Sequence, residues 1–190
     1  EAGHVVKLPA ASTIADGTAV LEPGDLVYPY VRDNVDEIIT VEDEELIVSF
    51  LDMVENHKMV VENSGLLTVA ALKHLPPENK RVVSILSGGN MDVITMSSVV
   101  QHGLIQRGRI FTVCVLLPDR PGMLLSVASI IARENGNVIK LEHNQFVSTN
   151  RNAAVELRVT VEAFGEDHKR QIVDALEAGG FDPSIVQTSL

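Results

Sequence analysis

The pattern of apolar residues changes near Gly108, and this change constrains the fold more than any other feature of the sequence. Before Gly108, short β-branched runs alternate with segments of helical spacing, which favours a sheet covered by helices on both faces. After Gly108, strand and helix patterns follow a different order. Gly103 and Gly108 bracket a segment typical of a helix end. We therefore predict two domains, residues 1–107 and 108–190.

The first part is predicted to alternate strands with helices. Short runs rich in β-branched and apolar residues predict strands over 37–41, 59–61 and 81–87. Apolar residues at helical spacing predict helices over 25–32, 42–54, 64–75 and 94–104. The predicted class is α/β, with a partial open parallel sheet and flanking helices.

The second part predicts strands over 109–117, 138–146, 153–162 and 183–188, with helices over 121–134 and 165–178. Alternation of apolar and polar residues over 153–162 indicates a strand with one buried face. The order β-α-β-β-α-β in about 80 residues is typical of a ferredoxin-like domain. We expect Gly136 and Asn137 to close the first helix, with the glycine at positive φ. We also expect the first strand to present an edge that a dimer covers.

Composition excludes several classes of protein. A net charge of −11 and an aromatic content of 4% argue against a nucleic-acid partner. No apolar run approaches the ~20 residues of a membrane span, so we predict no membrane partner. The lone cysteine, Cys114, suits a reducing cytosol, and we predict a cytoplasmic protein. The histidines have no i,i+4 pairing and Cys114 has no CxxC partner, so no metal site is predicted.

The segment Ser87-Gly88-Gly89-Asn90 follows a predicted strand and precedes a predicted helix. Ligands of open parallel sheets bind at the carboxyl ends of the strands. The glycines permit close approach of a flat ligand, and the Ser87 hydroxyl can bond to a ring nitrogen. Glu62 also follows an apolar run and could reach the same crevice. From spacing alone, an ordinary strand–helix turn is the favoured explanation of residues 87–90, and a helix-start carboxylate is the favoured explanation of Glu62.

A second candidate site lies between the first strand and first helix of the second part. Free N–H groups at a helix start attract a carboxylate, such as that of a free amino acid. The candidate residues at this connection are Asp119, Pro121, Gly122, Met123 and Leu124. Asn137, at the other end of the helix, is a further candidate. A well-formed β–α connection is the alternative explanation.

Taken together, the motifs resemble one family. Residues 13–17, 35–38, 61–65 and 85–90 look like the C-terminal half of a threonine ammonia-lyase. These enzymes use pyridoxal phosphate, have the tryptophan-synthase-β fold and are related to serine racemase. Residues 119–122 and 136–138 look like an ACT domain, an amino-acid-sensing module. The resemblance covers essentially the whole chain.

The resemblance implies roles for particular residues. It implies that the Ser87 hydroxyl bonds to the pyridine nitrogen of pyridoxal phosphate, and that Gly88, Gly89 and Asn90 form the rest of the same loop. It also implies that Glu62 places a carboxylate near the ring. It implies an effector, isoleucine or valine, held by the residues of the β–α connection together with Asn137 and Val138. It also implies allosteric control, a role in isoleucine biosynthesis, and a homodimer or tetramer formed through the ACT domain.

The sequence also departs from this family. The Schiff-base lysine lies in a Ser-Phe-Lys segment, and none of the six lysines here has that context. The glycine-rich loop for the cofactor phosphate is also missing. We therefore expect no catalytic residue in this chain, which should be inactive alone and should not hold the cofactor by itself. We expect about 200 further residues upstream in the parent. The alternative is a free-standing ACT-type amino-acid sensor and dimerisation module without catalysis.

Overall fold

The computed structural model describes residues 3–76, 81–145 and 155–188. The chain divides into two compact units, residues 1–100 and 101–190, and each has its own apolar core. The division falls within a helix, Val93–Gln106, which contains the whole helix predicted over 94–104.

The first unit contains helices α1 (Tyr28–Asn34), α2 (Asp43–Asp52) and α3 (Leu67–Ala70) and the start of α4 (Val93–Gln106). Shorter 3-10 turns occupy Asp16–Thr18, Asn63–Leu66 and Ala71–His74, and a π-helical turn, Met53–His57, extends α2. The predicted helix over 64–75 is thus a series of short turns. Gly65 lies in the first of these turns, where glycine costs a regular helix about 1 kcal/mol.

Helix α2 provides the centre of the first core. Its start is fixed by a capping box, in which the Glu42 and Glu45 side chains accept hydrogen bonds from each other's backbone N–H groups. Leu46 and Phe50 lie one turn apart on the buried face. Together with this helix, the core of the first unit contains Ala15, Met53, Val61, Leu66, Ala70 and Val99.

The three strands predicted for the first part do not form a sheet. Among the described residues of the first unit, segments 37–41, 59–61 and 81–87 are extended or irregular and belong to no strand ladder. Val83 and Ile85 are 89% and 73% exposed. The prediction of a parallel sheet is therefore wrong for these residues. β-branched sequence favours an extended backbone, but a strand also requires a neighbour in register.

The second unit is an α/β structure with one antiparallel sheet. Its strands are β1 (Ile110–Leu117), β2 (Asn137–Asn144), β3 (Val155–Glu162) and β4 (Pro183–Val186), in the spatial order β2-β3-β1-β4. Helices α5 (Met123–Arg133) and α6 (Glu166–Ala178) complete the order β-α-β-β-α-β. The predicted sequence of elements is present.

The position of β1 differs from expectation. It pairs with β3 along its whole length, from Ile110 opposite Glu162 to Leu117 opposite Val155. On its other side it pairs with β4. The expectation of an uncovered β1 edge is wrong, because β4 returns to pair with it. The edge strands of the sheet are β2 and β4.

The end of α5 also differs in detail. The residue at positive φ is Asn135, with φ 63°, and not Gly136. A β-carbon on Gly136 would lie 2.8 Å from the Ile131 side chain and 3.0 Å from those of Ile172 and Val161. Asparagine tolerates the left-handed region, whereas only a glycine fits this crowded position. The glycine is therefore needed for packing.

Candidate functional site

The first candidate site is built where Glu62 meets the loop Ser87–Asn90. The Glu62 Oε2 atom accepts a hydrogen bond from the Asn90 N–H at 3.1 Å. The Glu62 N–H donates to the Gly88 carbonyl at 3.4 Å. Gly88 has φ 79°, and a β-carbon there would overlap the Glu62 carboxylate. Glycine is therefore required both for the backbone conformation and for the close approach of the carboxylate.

A second close contact, between Gly65 and the Ser87 carbonyl, also holds the loop. A β-carbon on Gly65 would overlap the carbonyl oxygen of Ser87. The Ser87 side chain remains exposed. The sequence motifs 62–65 and 87–90 thus meet through backbone at two glycines, which leaves the Ser87 hydroxyl available for a ligand.

A cavity of about 370 Å³ lies beside this contact. The structure brings two predicted residues, Glu62 and Asn90, into its wall. Thr13 and Asp16, from the motif over residues 13–17, also contribute polar groups, as do Asn63, Asp92 and Thr95, to which the sequence assigned no role. Hydrogen bonds from Thr95 lower the pKa of the Asp92 carboxyl below its ordinary value. None of the described residues lining the cavity is a lysine or arginine, so its wall favours neutral or cationic groups.

The second candidate site lies at the connection between β1 and α5. Gly122 takes φ 91° immediately before α5, and its carbonyl accepts the Ser126 N–H at 2.9 Å. A cavity of about 300 Å³ is lined by all five predicted residues of the connection, Asp119, Pro121, Gly122, Met123 and Leu124. Arg120, His143 and Gln145 also line it.

Asn137 and Val138 do not reach this cavity. Asn137 pairs with Glu162 at one end of β2, and its side-chain amide donates to the Glu162 carboxylate at 3.1 Å. His143, which does line the cavity, pairs with Leu157 towards the other end of β2. The strand pattern placed residue 143 on β2, but only the register shows which end of β2 lies beside the loop.

Neither metal ligation nor cysteine chemistry finds support in the described parts of the chain. No group of three or more His, Cys, Asp or Glu residues there is arranged to hold a metal ion. Cys114 is buried, and desolvation raises the pKa of its thiol, which favours the unreactive protonated form. No helix within the described ranges is long and apolar enough to cross a membrane.

Comparison with known proteins identifies the relatives. The family described as "Pyridoxal-phosphate dependent enzyme" matches residues 1–88. An L-threonine ammonia-lyase of Geobacter sulfurreducens is 34% identical over 94% of this chain and 45% of its own length. The L-threonine ammonia-lyase of Thermotoga maritima is 33% identical over 97% of this chain and 46% of its own length. The chain is similar to these threonine ammonia-lyases over most of its own length.

The resemblance to the threonine ammonia-lyases is thus confirmed, whereas the resemblance to an ACT domain stays a prediction. Pyridoxal phosphate is the cofactor of the family to which residues 1–88 are matched. The chain spans less than half the length of these curated relatives. Among solved structures, the processed form of threonine deaminase isoform 2 from Solanum lycopersicum is 27% identical over 52% of this chain and 30% of its own, with a TM-score of 0.47.

The described residues of this chain fit one part of pyridoxal phosphate. The exposed Ser87 hydroxyl and the bare backbone at Gly89 suit the edge of a flat, neutral ring. The same region offers nothing for the phosphate, because the described cavity wall carries carboxylates and no basic side chain.

Proposed function

We propose that this chain forms part of a pyridoxal-phosphate-dependent threonine (serine) ammonia-lyase, which converts threonine to 2-oxobutanoate and ammonia. The observation that carries the proposal is the fit between Glu62 and the glycine loop. Two motifs that are 25 residues apart, Glu62 and Ser87, meet through the hydrogen bond from Asn90 and the bare backbone of Gly88. Two relatives that are named for this activity align with most of this chain.

In this site each residue has a limited task. The cofactor, when bound, supplies the electron-withdrawing ring that permits loss of the substrate hydroxyl. Ser87 offers a neutral hydroxyl to the ring nitrogen, so the nitrogen stays unprotonated. The carboxylate of Glu62 is held in one orientation by the Asn90 N–H. Gly89 leaves room for the ring, because a β-carbon there would meet only the Val60 carbonyl, at 3.8 Å. No residue of this chain is assigned the covalent or proton-transfer step.

We propose that the second unit is an ACT regulatory domain for an amino-acid effector. Gly122 at positive φ presents the start of α5 to the cavity, where backbone N–H groups suit the effector carboxylate. The apolar wall formed by Leu117, Met123 and Val155 suits the side chain of isoleucine or valine. The predicted contribution of Asn137 and Val138 then requires a second copy related by two-fold symmetry, because both lie outside this cavity within one chain.

The partner assembly follows from the same unit. β2 is an edge strand, and Val138, Ile139 and Leu141 on it are exposed. An exposed apolar edge is a site for pairing with another strand. We therefore propose a homodimer or tetramer formed through β2 rather than through β1, with effector binding coupled to the subunit arrangement by differential affinity.

The complete gene product tests the catalytic proposal. Purified and supplied with threonine or serine, it is expected to release ammonia together with 2-oxobutanoate or pyruvate. Ser87→Ala is expected to weaken cofactor retention, whereas Ser84→Ala, whose hydroxyl bonds to the Thr68 carbonyl, is the matched control. Absence of ammonia release from both substrates would overturn the proposal.

Calorimetry with isoleucine, valine, threonine and serine tests the regulatory proposal on the present chain. A branched-chain amino acid should bind, and Gly122→Val should abolish binding because valine does not tolerate φ 91°. The alternative, a free-standing sensor without catalysis, is favoured by the complete core of the second unit. It gains support if the effector binds while the complete gene product releases no ammonia.

The lysine prediction has its own test. Pyridoxal phosphate mixed with the present chain should be removed completely by dialysis. A covalent absorbance band that survives dialysis would contradict the expectation that the chain lacks the Schiff-base lysine.

A further inference from the structure

Asn63 is a buried polar residue to which the proposed function gives no task. It is only 5% exposed. Its Oδ1 atom has no hydrogen-bond partner in the part of the chain that the structure describes. An unpaired buried polar atom costs about 1–3 kcal/mol, and an apolar residue of similar shape would avoid this cost. An asparagine at this position must therefore supply something other than packing.

Asn63 supplies a hydrogen-bond donor to a segment that is distant in the sequence. Its Nδ2 donates to the carbonyl oxygen of Ile14 at 3.0 Å, across 49 positions of sequence. Ile14 begins the segment Ile14–Gly17, which carries Asp16 into the wall of the cavity. Asn63 directly follows Glu62, so this one bond joins the two acidic segments of the first candidate site.

The first residue of the segment is also anchored by α2. The Ile14 N–H donates to Asp43 Oδ2 at 3.0 Å, and the Thr13 hydroxyl donates to Asp43 Oδ1 at 2.5 Å. Asp43 is the first residue of α2, where the helix dipole favours its carboxylate. Ile14 is therefore held from two directions, by its N–H towards α2 and by its carbonyl towards Asn63.

This arrangement brings Gly17 against the Glu62 side of the site. A β-carbon on Gly17 would lie 2.9 Å from Ser64 Oγ and 3.9 Å from Glu62 Oε1. The Glu62 carboxylate therefore lies beside the backbone of Gly17 as well as against Gly88. A shift of the segment 14–17 would free one side of the carboxylate and loosen its bond to the Asn90 N–H.

We propose that Asn63 is a positioning residue that fixes the orientation of Glu62 by tying segment 14–17 to it. The meaning of this role for the cofactor rests on the proposed function. The structural coupling does not, since it runs from Asp43 through Ile14 and Asn63 to Glu62 and Asn90 within the chain itself.

The test follows the amide of Asn90 by nuclear magnetic resonance in the present chain without added cofactor. Asn63→Leu should shift the Asn90 amide signal and accelerate its hydrogen exchange about tenfold, as expected for loss of one hydrogen bond. Ser64→Ala is the matched control, because it removes the neighbouring buried oxygen that also lacks a partner among the described residues. It should leave the Asn90 exchange rate within about twofold, well below the effect of one bond.

A second variant guards against unfolding. Asp43→Ala breaks the anchor on the N–H of Ile14, and it should move the Asn90 signal in the same direction as Asn63→Leu. Combined with Asn63→Leu it should add little, because both changes release the same segment. An Asn90 amide that responds to neither change in folded protein overturns the inference, as does an equal response to Ser64→Ala. If Asn63→Leu unfolds the unit, the response to Asp43→Ala decides alone.

These outcomes are separable from the fate of the proposed function. If the Asn90 amide responds to Asn63→Leu but the complete gene product releases no ammonia, the positioning role of Asn63 is kept and the proposed lyase activity is rejected. If ammonia is released but the Asn90 amide does not respond, the lyase activity is kept and the positioning role is rejected.

Discussion

The two units of this chain solve the problem of backbone hydrogen bonding in different ways. In the second unit, four strands pair in register and two amphipathic helices cover one face, so the elements satisfy one another. In the first unit the described residues form no strand ladder, and side chains such as Asp43 and Asn63 hold the loops instead. The apolar side chains of Val83 and Ile85 stay exposed.

The difference teaches where each unit is vulnerable. A sheet and helix core distributes its stability over many contacts, so large losses come from truncating central side chains. Loops held by single side-chain bonds and glycine contacts lose their geometry through small local changes. The stability of the second unit should therefore depend mainly on the volume of its buried side chains. The loop geometry of the first unit should depend mainly on the glycines at which backbone and side chains come close together.

The largest effect is expected from Leu157→Ala in the second unit. Leu157 is fully buried in β3, opposite Val115. Its truncation should lower the free energy of unfolding of this unit by about 2–5 kcal/mol, since a buried leucine is replaced by a cavity. Denaturant unfolding followed by amide signals of each unit measures this. Leu116→Ala, at a side chain 58% exposed, is the control, and an equal loss there would contradict the described core.

A smaller but more local effect is expected from Gly65→Ala in the first unit. The added carbon would overlap the Ser87 carbonyl, so the loop 87–90 must move away. We expect overpacking to lower the stability of this unit by about 1–3 kcal/mol. The amide signals of residues 87–90 should shift together. Gly24→Ala, where the added carbon meets nothing within 4 Å, should leave them in place.

The junction between α5 and α6 gives a third prediction. The Phe164 N–H donates to His168 Nδ1 at 3.0 Å, so His168 Nε2 carries the hydrogen and donates to the Glu134 carbonyl at 2.5 Å. His168→Ala removes both bonds and should lower the stability of the second unit by about 1–2 kcal/mol. Thermal unfolding measures the change. His143→Ala provides a histidine control, and a loss as large at that exposed position would refute the specific role of His168.

The smallest effect is a pH dependence at the start of α4. Asp92 accepts hydrogen bonds from the Ile94 and Thr95 N–H groups and from the Thr95 hydroxyl, which lower the pKa of its carboxyl below 3.8. Because the folded pKa lies below the unfolded one, this stabilisation is present above pH 3.8 and disappears as the pH falls further. The amide signal of Thr95, followed as the pH is lowered, reports the protonation of the Asp92 carboxyl. In Asp92→Asn that acid-dependent change should vanish.

Much of the second unit could be predicted from sequence, because its signals are local. The alternation of Val155, Leu157 and Val159 specifies a half-buried strand, and Gly122 marks a turn that requires positive φ. The first unit was harder, because its strand predictions rested on β-branched runs alone. Such runs specify an extended backbone but carry no information about a pairing partner.

The candidate sites divide along the same line. Glu62 and the glycine loop were singled out from residue types, yet their contact through Gly88 and the Asn90 N–H appears only in three dimensions. Asp43 and Asp92 lie in no motif, and Asn63 lies in the motif over 61–65 without an assigned role. The contribution of each depends on hydrogen-bond partners that the motif does not show. Asn137 was grouped with the second site by motif, and the register of β2 places it at the far end.

The sequence by itself determined the element order of the second unit, the residue types of both candidate sites and the resemblance to the threonine ammonia-lyases. These follow from periodicity, glycine placement and motif order, which are properties of neighbouring residues. Only the tertiary structure decided which strands pair, which end of β2 faces the loop, and which buried asparagine ties Ile14 to Glu62. Those outcomes depend on contacts between residues distant in the chain, where packing and hydrogen-bond satisfaction select one arrangement among several that local sequence allows.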